Sequence, residues 1–314
     1  MLFNTAVFFL TLSKVSVLLC FLAIGYLLVR TGTILKNASR CVSVLCTYLF
    51  CPAYNIINLP GAFTPENLRS NTLLIASGAA LLAASLLLSN FLAKKLSRGD
   101  FEKKSLTYIF TFANYGFFGY PVIQGVFGDA FLARFIIFCI PINIVAISYG
   151  YGIFAGTKKF DWKKTVLSPV VISSVLGCAI GYFGLSFPDF LSETLSIAAG
   201  CMSPAAMLTA GMVLGSFSLL DLIFHFRPYL YSLIRLLILP LLGGAILFLL
   251  GVRGEIFTFS TAFLAMPVGL NCVVFPESFG LDSSQNAKTC FVSFILSLLT
   301  LPAIFSVMEA VGKL

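Results

Sequence analysis

The sequence is poor in the groups on which most enzymes rely. His225 is its single histidine, and only twelve acidic residues are spread over 314 positions. The cysteines have neither CxxC nor Cys/His ligand spacing, which argues against a zinc or iron centre and against a histidine-based nucleophile relay. Paired mid-span carboxylates and a nucleotide-binding glycine loop are also missing, so an enzyme is a poor reading and neither metal nor cofactor is expected. Charge of either sign is scarce: 10% of residues are charged against 59% apolar, with a mean hydropathy of +1.01. A soluble core needs polar residues alternating on a helical or strand period to make a wet face, and the apolar blocks here lack that alternation. The fold class is therefore all-α integral membrane.

What is present is a series of apolar runs of about twenty residues, the length that crosses the hydrocarbon as a helix. They predict about ten transmembrane helices near 6–29, 41–59, 71–93, 105–127, 131–156, 165–186, 191–216, 229–250, 256–279 and 286–308. The first run is long and lacks a basic leader and a small-residue cleavage site, so it is expected to remain as a span. Seven of the nine cysteines (Cys20, Cys46, Cys139, Cys178, Cys201, Cys272 and Cys290) fall in apolar segments and read as small packing residues.

The net charge of +8 is explained by topology. Arg30, Lys36 and Arg40 fall in the first loop, Lys94, Lys95, Arg98, Lys103 and Lys104 in the third, and Lys158, Lys159, Lys163 and Lys164 in the fifth. The alternate loops hold Arg69, Arg134 and Arg253. Under the positive-inside rule the odd-numbered loops are cytoplasmic, both termini lie outside, and the chain belongs in a plasma (inner) membrane with no nucleic-acid partner.

The two halves repeat weakly. At an offset near 152, Pro52 in LFCPAYN falls on Pro204 in CMSPAAM and Phe127-Gly128 falls on Phe279-Gly280, while AIGY recurs at an offset of 156. Five spans per half is an odd number, so residues 1–156 and 157–314 are expected as inverted five-helix repeats, an architecture of secondary transporters. The fourth span, FTFANYGFFGYPVIQGVFG, and its counterpart, FLAMPVGLNCVVFPESFG, are both rich in Pro, Gly and Asn. Such broken helices are tolerated in a membrane only inside protein or beside a watered cavity, because each unsatisfied backbone group costs several kcal/mol. Gly119, Pro121, Pro267 and Gly269 are the expected break positions, with Gly116 and Gly119 expected to let backbones approach. Inward-pointing half-helix N-termini suit an anionic group.

ANYGFFGYPVIQGVFG resembles the fourth-span motif of the auxin efflux carrier family, whose plant members are the PIN-type exporters. LAMPVGLNCVVFPESFG with the tenth span resembles the family's C-terminal signature, and CPAYNIINL and SPAAMLTAGMVLG resemble its second and seventh spans. The resemblance implies a scaffold of spans 1, 2, 6 and 7, a mobile transport domain of spans 3–5 and 8–10, elevator-like movement, carboxylate substrates and a homodimer. It places substrate contact on Asn114, Pro121, Pro267 and Asn271. The loop GTKKFDWKK is far shorter than in many plant members, so phosphoregulation there is not implied, and the plant Gln near Pro267 is missing, so auxin itself is not implied.

Around that core, Tyr115 and Gly116 join the expected substrate set, while Asn55 and Ser203 either line the cavity from the scaffold side or pack the bundle. Gln124 and Asn143 read as packing residues. Lys14 and Arg235 fall inside spans near their ends, where they either meet a substrate carboxylate or snorkel to the headgroups. Glu277 either couples transport or is an ordinary helix-end glutamate. Gly211 and Gly215 form a GxxxG pair, either a dimer contact or internal close packing. The sequence thus points to a secondary transporter for small organic carboxylates; a ligand sensor or an ion-coupled symporter on the same fold are the rival readings.

Overall fold

A computed structural model describes residues 3–35, 38–155 and 166–312. Lys36 and the loop GTKKFDWKK lie outside the described residues, and nothing structural follows for them. Among the described residues seven helices are long and apolar enough to cross a membrane: α1 (Thr5–Arg30), α2 (Ala38–Asn58), α3 (Pro65–Leu96), α6 (Asp129–Ala155), α8 (Asp189–Leu214), α9 (Phe226–Leu249) and α12 (Ser284–Gly312). Helix α7 (Pro169–Tyr182) is apolar but has 14 residues, about 21 Å at 1.5 Å per residue and short of a full span. The expected run 165–186 is therefore only partly helical. Ser168 fixes its start, accepting the Val171 N–H as N-cap ahead of Pro169.

The fourth and ninth runs are each cut in two. Helix α4 (Asp100–Thr111) is followed by residues 112–114 and then α5 (115–127), while α10 (Gly254–Ala265) is followed by 266–270 and then α11 (Asn271–Ser278). Among the described residues no strand forms; the single β-bridge lies where these two breaks meet.

Proline shapes three turns in one way. Five-residue π turns at Cys46–Phe50, Tyr115–Gly119 and Ile234–Ile238 each run directly into a helical stretch whose second residue is proline: Pro52, Pro121 and Pro240. Proline cannot donate to the carbonyl four residues back and its ring crowds that carbonyl; the wider π turn accommodates both.

Helix α1 lies along α8, and glycines set the distance. A Cβ at Gly211 would sit 2.0 Å from the Leu22 carbonyl oxygen, and one at Gly25 would sit 2.2 Å from that of Leu208. Gly215 faces Tyr26 and Val29 of α1. The GxxxG pair is thus internal close packing. Helix α2 packs on α7 and α8, α3 on α4 and α6, and α12 on α1, α9 and α10. Phe259 of α10 is surrounded by Phe131, Phe135 and Phe138, one stripe of α6, and a bidentate pair between Arg134 and Glu255, 2.5–2.9 Å, fastens the same two helices. Outward rows expose large apolar side chains such as Leu87 and Ile246, as a hydrocarbon surround requires.

Gly211→Val is expected to destabilise the protein by about 1–3 kcal/mol, the usual penalty of overpacking, read as a lower melting temperature in detergent. Gly116→Ala, whose Cβ would meet nothing within 4 Å, is the control expected to melt like the parent.

Candidate functional site

Beyond Thr111 the chain leaves the α-helix, and residues 112–114 run extended past residues 266–269. Ala113 pairs antiparallel with Val268. The Asn114 N–H donates to the Pro267 carbonyl at 2.8 Å, and the Gly269 N–H donates to the Phe112 carbonyl at 3.4 Å. The Val268 N–H donates to Ser293 Oγ of α12 at 3.1 Å, and that hydroxyl donates in turn to the Cys290 carbonyl at 2.8 Å. Backbone groups freed by two helix breaks are thereby satisfied within the protein. Gly269 eases the close approach, since a Cβ there would lie 3.3 Å from the Ala113 oxygen, tighter than an ordinary contact. On the other strand the Asn114 carbonyl accepts from both Phe118 and Gly119, which closes the π turn.

Counting outward from the bridge, Asn114 matches Gly269 and Gly116 matches Asn271. One half carries Asn-Tyr-Gly and the other Gly-Leu-Asn, so each contributes one asparagine and one glycine in swapped order.

Beside the bridge lies a cavity of about 330 Å³. Asn114, Tyr115 and Gly116 line it from one half and Gly269, Leu270 and Asn271 from the other, with Asn55 of α2 and Asn143 of α6 at its walls. The remaining lining sets five aromatic rings, Tyr108, Phe112, Phe117, Tyr120 and Phe275, among small and aliphatic side chains. Among the described residues no intramolecular hydrogen bond takes the Asn114 side-chain amide, so its donors and acceptor are open to a ligand. The Tyr115 hydroxyl donates to Asn143 Oδ1 at 2.5 Å, and the Tyr120 hydroxyl lies buried near the same amide without a full hydrogen bond. Tyr108 approaches Asn271. Asn55 is held from behind, donating to Ser173 Oγ at 3.0 Å and Ser174 Oγ at 3.1 Å of α7.

The expected residues therefore divide. Asn114, Tyr115, Gly116, Asn271 and Asn55 meet in one cavity. Ser203 does not line it: its hydroxyl donates to the Phe117 carbonyl at 3.2 Å, the group deprived of its helical donor by Pro121 four residues on. Pro121 and Pro267 act through the backbone, and neither touches the cavity. Gly116 has open space around it and widens the cavity, contrary to the expected backbone contact, while Gly119 makes room for the Met266 side chain. The Lys14 stem lies against Gly125, and Glu277 accepts from the Ser283 hydroxyl; both are outside the cavity. Arg235 is neither near a span end nor snorkelling: it is fully buried in α9. The sequence reading missed Tyr108 and Tyr120 and placed Asn143 among packing residues, since a lone polar side chain in an apolar span carries no mark of the break it will face.

A second cavity, about 860 Å³ and more open, is lined by Arg98, Glu102, His225 and Arg227. It holds none of the break residues, and its one carboxylate is already taken by Arg227 at 2.5 Å and the Tyr231 hydroxyl at 2.9 Å.

Many apolar spanning helices, two of the runs broken toward one another, and a cavity at the break define the class: a multi-pass membrane transporter. The family model described as membrane transport protein matches residues 10–160 and again residues 153–305. The chain belongs to this family, the auxin efflux carriers. It is similar to an uncharacterized transporter of Methanothermobacter thermautotrophicus, 30% identical over 207 residues, a match spanning 63% of this chain and 65% of that relative's length. It is also similar to the uncharacterized transporter MJ1031 of Methanocaldococcus jannaschii, 22% identical over 301 residues, spanning 91% of this chain and 95% of the relative.

The two kinds of polar residue separate experimentally. Ser203→Ala strands the Phe117 carbonyl and is expected to lower stability by about 1–3 kcal/mol. Asn114→Ala removes no internal partner and is expected to stay within about 0.5 kcal/mol of the parent in thermal unfolding, while abolishing ligand-induced stabilisation.

Proposed function

We propose that the protein is a secondary transporter that exports or exchanges small organic carboxylate anions. In this reading the chain crosses the membrane ten times as two inverted halves, 1–156 and 157–314, with both termini outside and two copies forming a homodimer. A framework of α1, α2, α7 and α8 holds still, while the body made of α3–α6 and α9–α12 moves across the membrane like an elevator. The observation that carries the reading is the position of the cavity. Asn114 and Asn271 belong to the body, whereas Cys46, Cys51, Asn55 and Thr209 on the facing wall belong to the framework. A site on that boundary is uncovered toward one side or the other when the body slides.

The chemistry favours a carboxylate. The amide of Asn114 offers N–H donors, and the first turns of α5 and α11, whose residues line the cavity, offer main-chain N–H groups with the positive end of each helix dipole. Among the described residues no carboxylate lines the cavity to repel an anion or bind a coupling cation. A monovalent anion leaving a cell gains about 2.3 kcal/mol per 100 mV of inside-negative potential, enough for export without ion coupling.

The test is electrical recording from liposomes containing the purified protein, challenged with mono- and dicarboxylates at matched pH without sodium. A substrate-dependent current, lost in Asn114→Ala and Asn271→Ala, is expected. Uptake that requires a sodium or proton gradient and carries no current would contradict the uncoupled mechanism, and ligand binding without any movement of labelled substrate would favour a sensor.

A further inference from the structure

Arg235 sits in the π turn of α9 just ahead of Pro240, with no exposed surface. Among the described residues no carboxylate lies in ion-pair range of it. Its guanidinium donates to three main-chain carbonyls instead: Nη1 to Phe110 at 2.8 Å, Nη2 to Phe263 at 3.1 Å and Nε to Met266 at 3.3 Å. Phe110 lies in the last turn of α4 and Phe263 in the last turn of α10, with Met266 just beyond its end; of the three carbonyls, that of Phe263 also accepts from the Met266 N–H at 3.4 Å. Arginine does not give up its proton in proteins, so a full positive charge is fixed between two helix C-termini. Arg235 does not line the cavity.

Four helix ends converge at the bridge. Each C-terminus (α4, α10) carries roughly −0.5 of a charge and each N-terminus (α5, α11) roughly +0.5, so the two negative ends offset part of the pull that the positive ends exert on an anion. Arg235 removes that offset. It is placed against the two negative ends and leaves the positive ends, whose residues Tyr115, Gly116, Leu270 and Asn271 line the cavity, without an opposing field. We propose that Arg235 sets the charge preference of the cavity, acting through the helix ends as a positioning residue that never touches the substrate. This explains how a cavity whose described lining is neutral selects anions. It rests on the carboxylate-carrier reading and adds the residue that fixes the sign of the substrate.

Matched probes test it: phenylacetate against neutral phenylacetamide, chosen for the aromatic wall, and malonate against malonamide. Binding to the purified protein is measured for the parent, Arg235→Lys and Arg235→Gln, each checked by thermal unfolding. The parent and Arg235→Lys are expected to prefer the anions. In Arg235→Gln anion affinity is expected to fall about tenfold or more while amide affinity stays within about twofold, the order for one unit charge acting over several ångströms. A purely structural role would weaken both probes together, and that result, or an unchanged anion-to-amide ratio in Arg235→Gln, overturns the proposal while the carrier reading stands. A parent without anion preference in either pair overturns the carrier reading and this proposal with it. If Arg235→Gln does not fold, Arg235→Lys decides: a retained preference supports the assignment, and a lost one in a variant that keeps the charge overturns it.

Discussion

The structure depends on one short pairing of backbone, Ala113 against Val268. A membrane interior has no water to satisfy a broken helix, so each break needs a partner within the protein, and the cheapest partner is another break. The Asn114 N–H meets the Pro267 carbonyl, the Gly269 N–H meets the Phe112 carbonyl, and Ser293 takes the Val268 N–H from behind. Four helix ends are brought to one point as a result. Local sequence, packing and function meet there: Gly269 permits the approach, α12 braces it, and the cavity opens where the helices diverge.

Carbonyls freed near the site draw donors of graded strength. The Phe117 carbonyl, left without a donor by Pro121, takes a neutral hydroxyl from Ser203. Those of Phe110, Phe263 and Met266 take a guanidinium. The difference follows from location, since an isolated carbonyl needs only a hydrogen bond, whereas two helix C-termini concentrate enough negative potential to hold a buried cation. The Asn114 amide is the converse case. It faces the cavity and has no internal partner among the described residues, so a ligand or water is left to complete it.

Much of this was legible in the sequence. Apolar run lengths foretold an all-helical membrane chain and its seven long apolar helices, and the two Pro-, Gly- and Asn-rich stretches held both breaks and the asparagines beside them. Three kinds of feature were not legible. The exact break cannot be read from proline, because Pro121 starts a helix after a π turn whereas Pro267 lies in the extended segment itself. Hydropathy treats Arg235 as a nuisance near a span end, since the carbonyls that hold it come from residues 125 and 28 positions away. Tyr108 and Tyr120 reach the cavity only because the break turns two helices toward each other, a three-dimensional fact with no local signal. For Ser203, which the sequence left open between lining the cavity and packing the bundle, the structure shows packing, on the Phe117 carbonyl.

The central claim is that one cavity at the helix breaks is reached in turn from both sides of the membrane. The most direct measurement places a single cysteine at Gly116, where a side chain has room, in a background freed of the nine native cysteines, and labels it with a membrane-impermeant thiol reagent from each face of oriented vesicles. Labelling from both faces, slowed on both by a transported carboxylate, is the predicted result. Labelling from one face only, whatever the ligand or membrane potential, would contradict alternating access at this site.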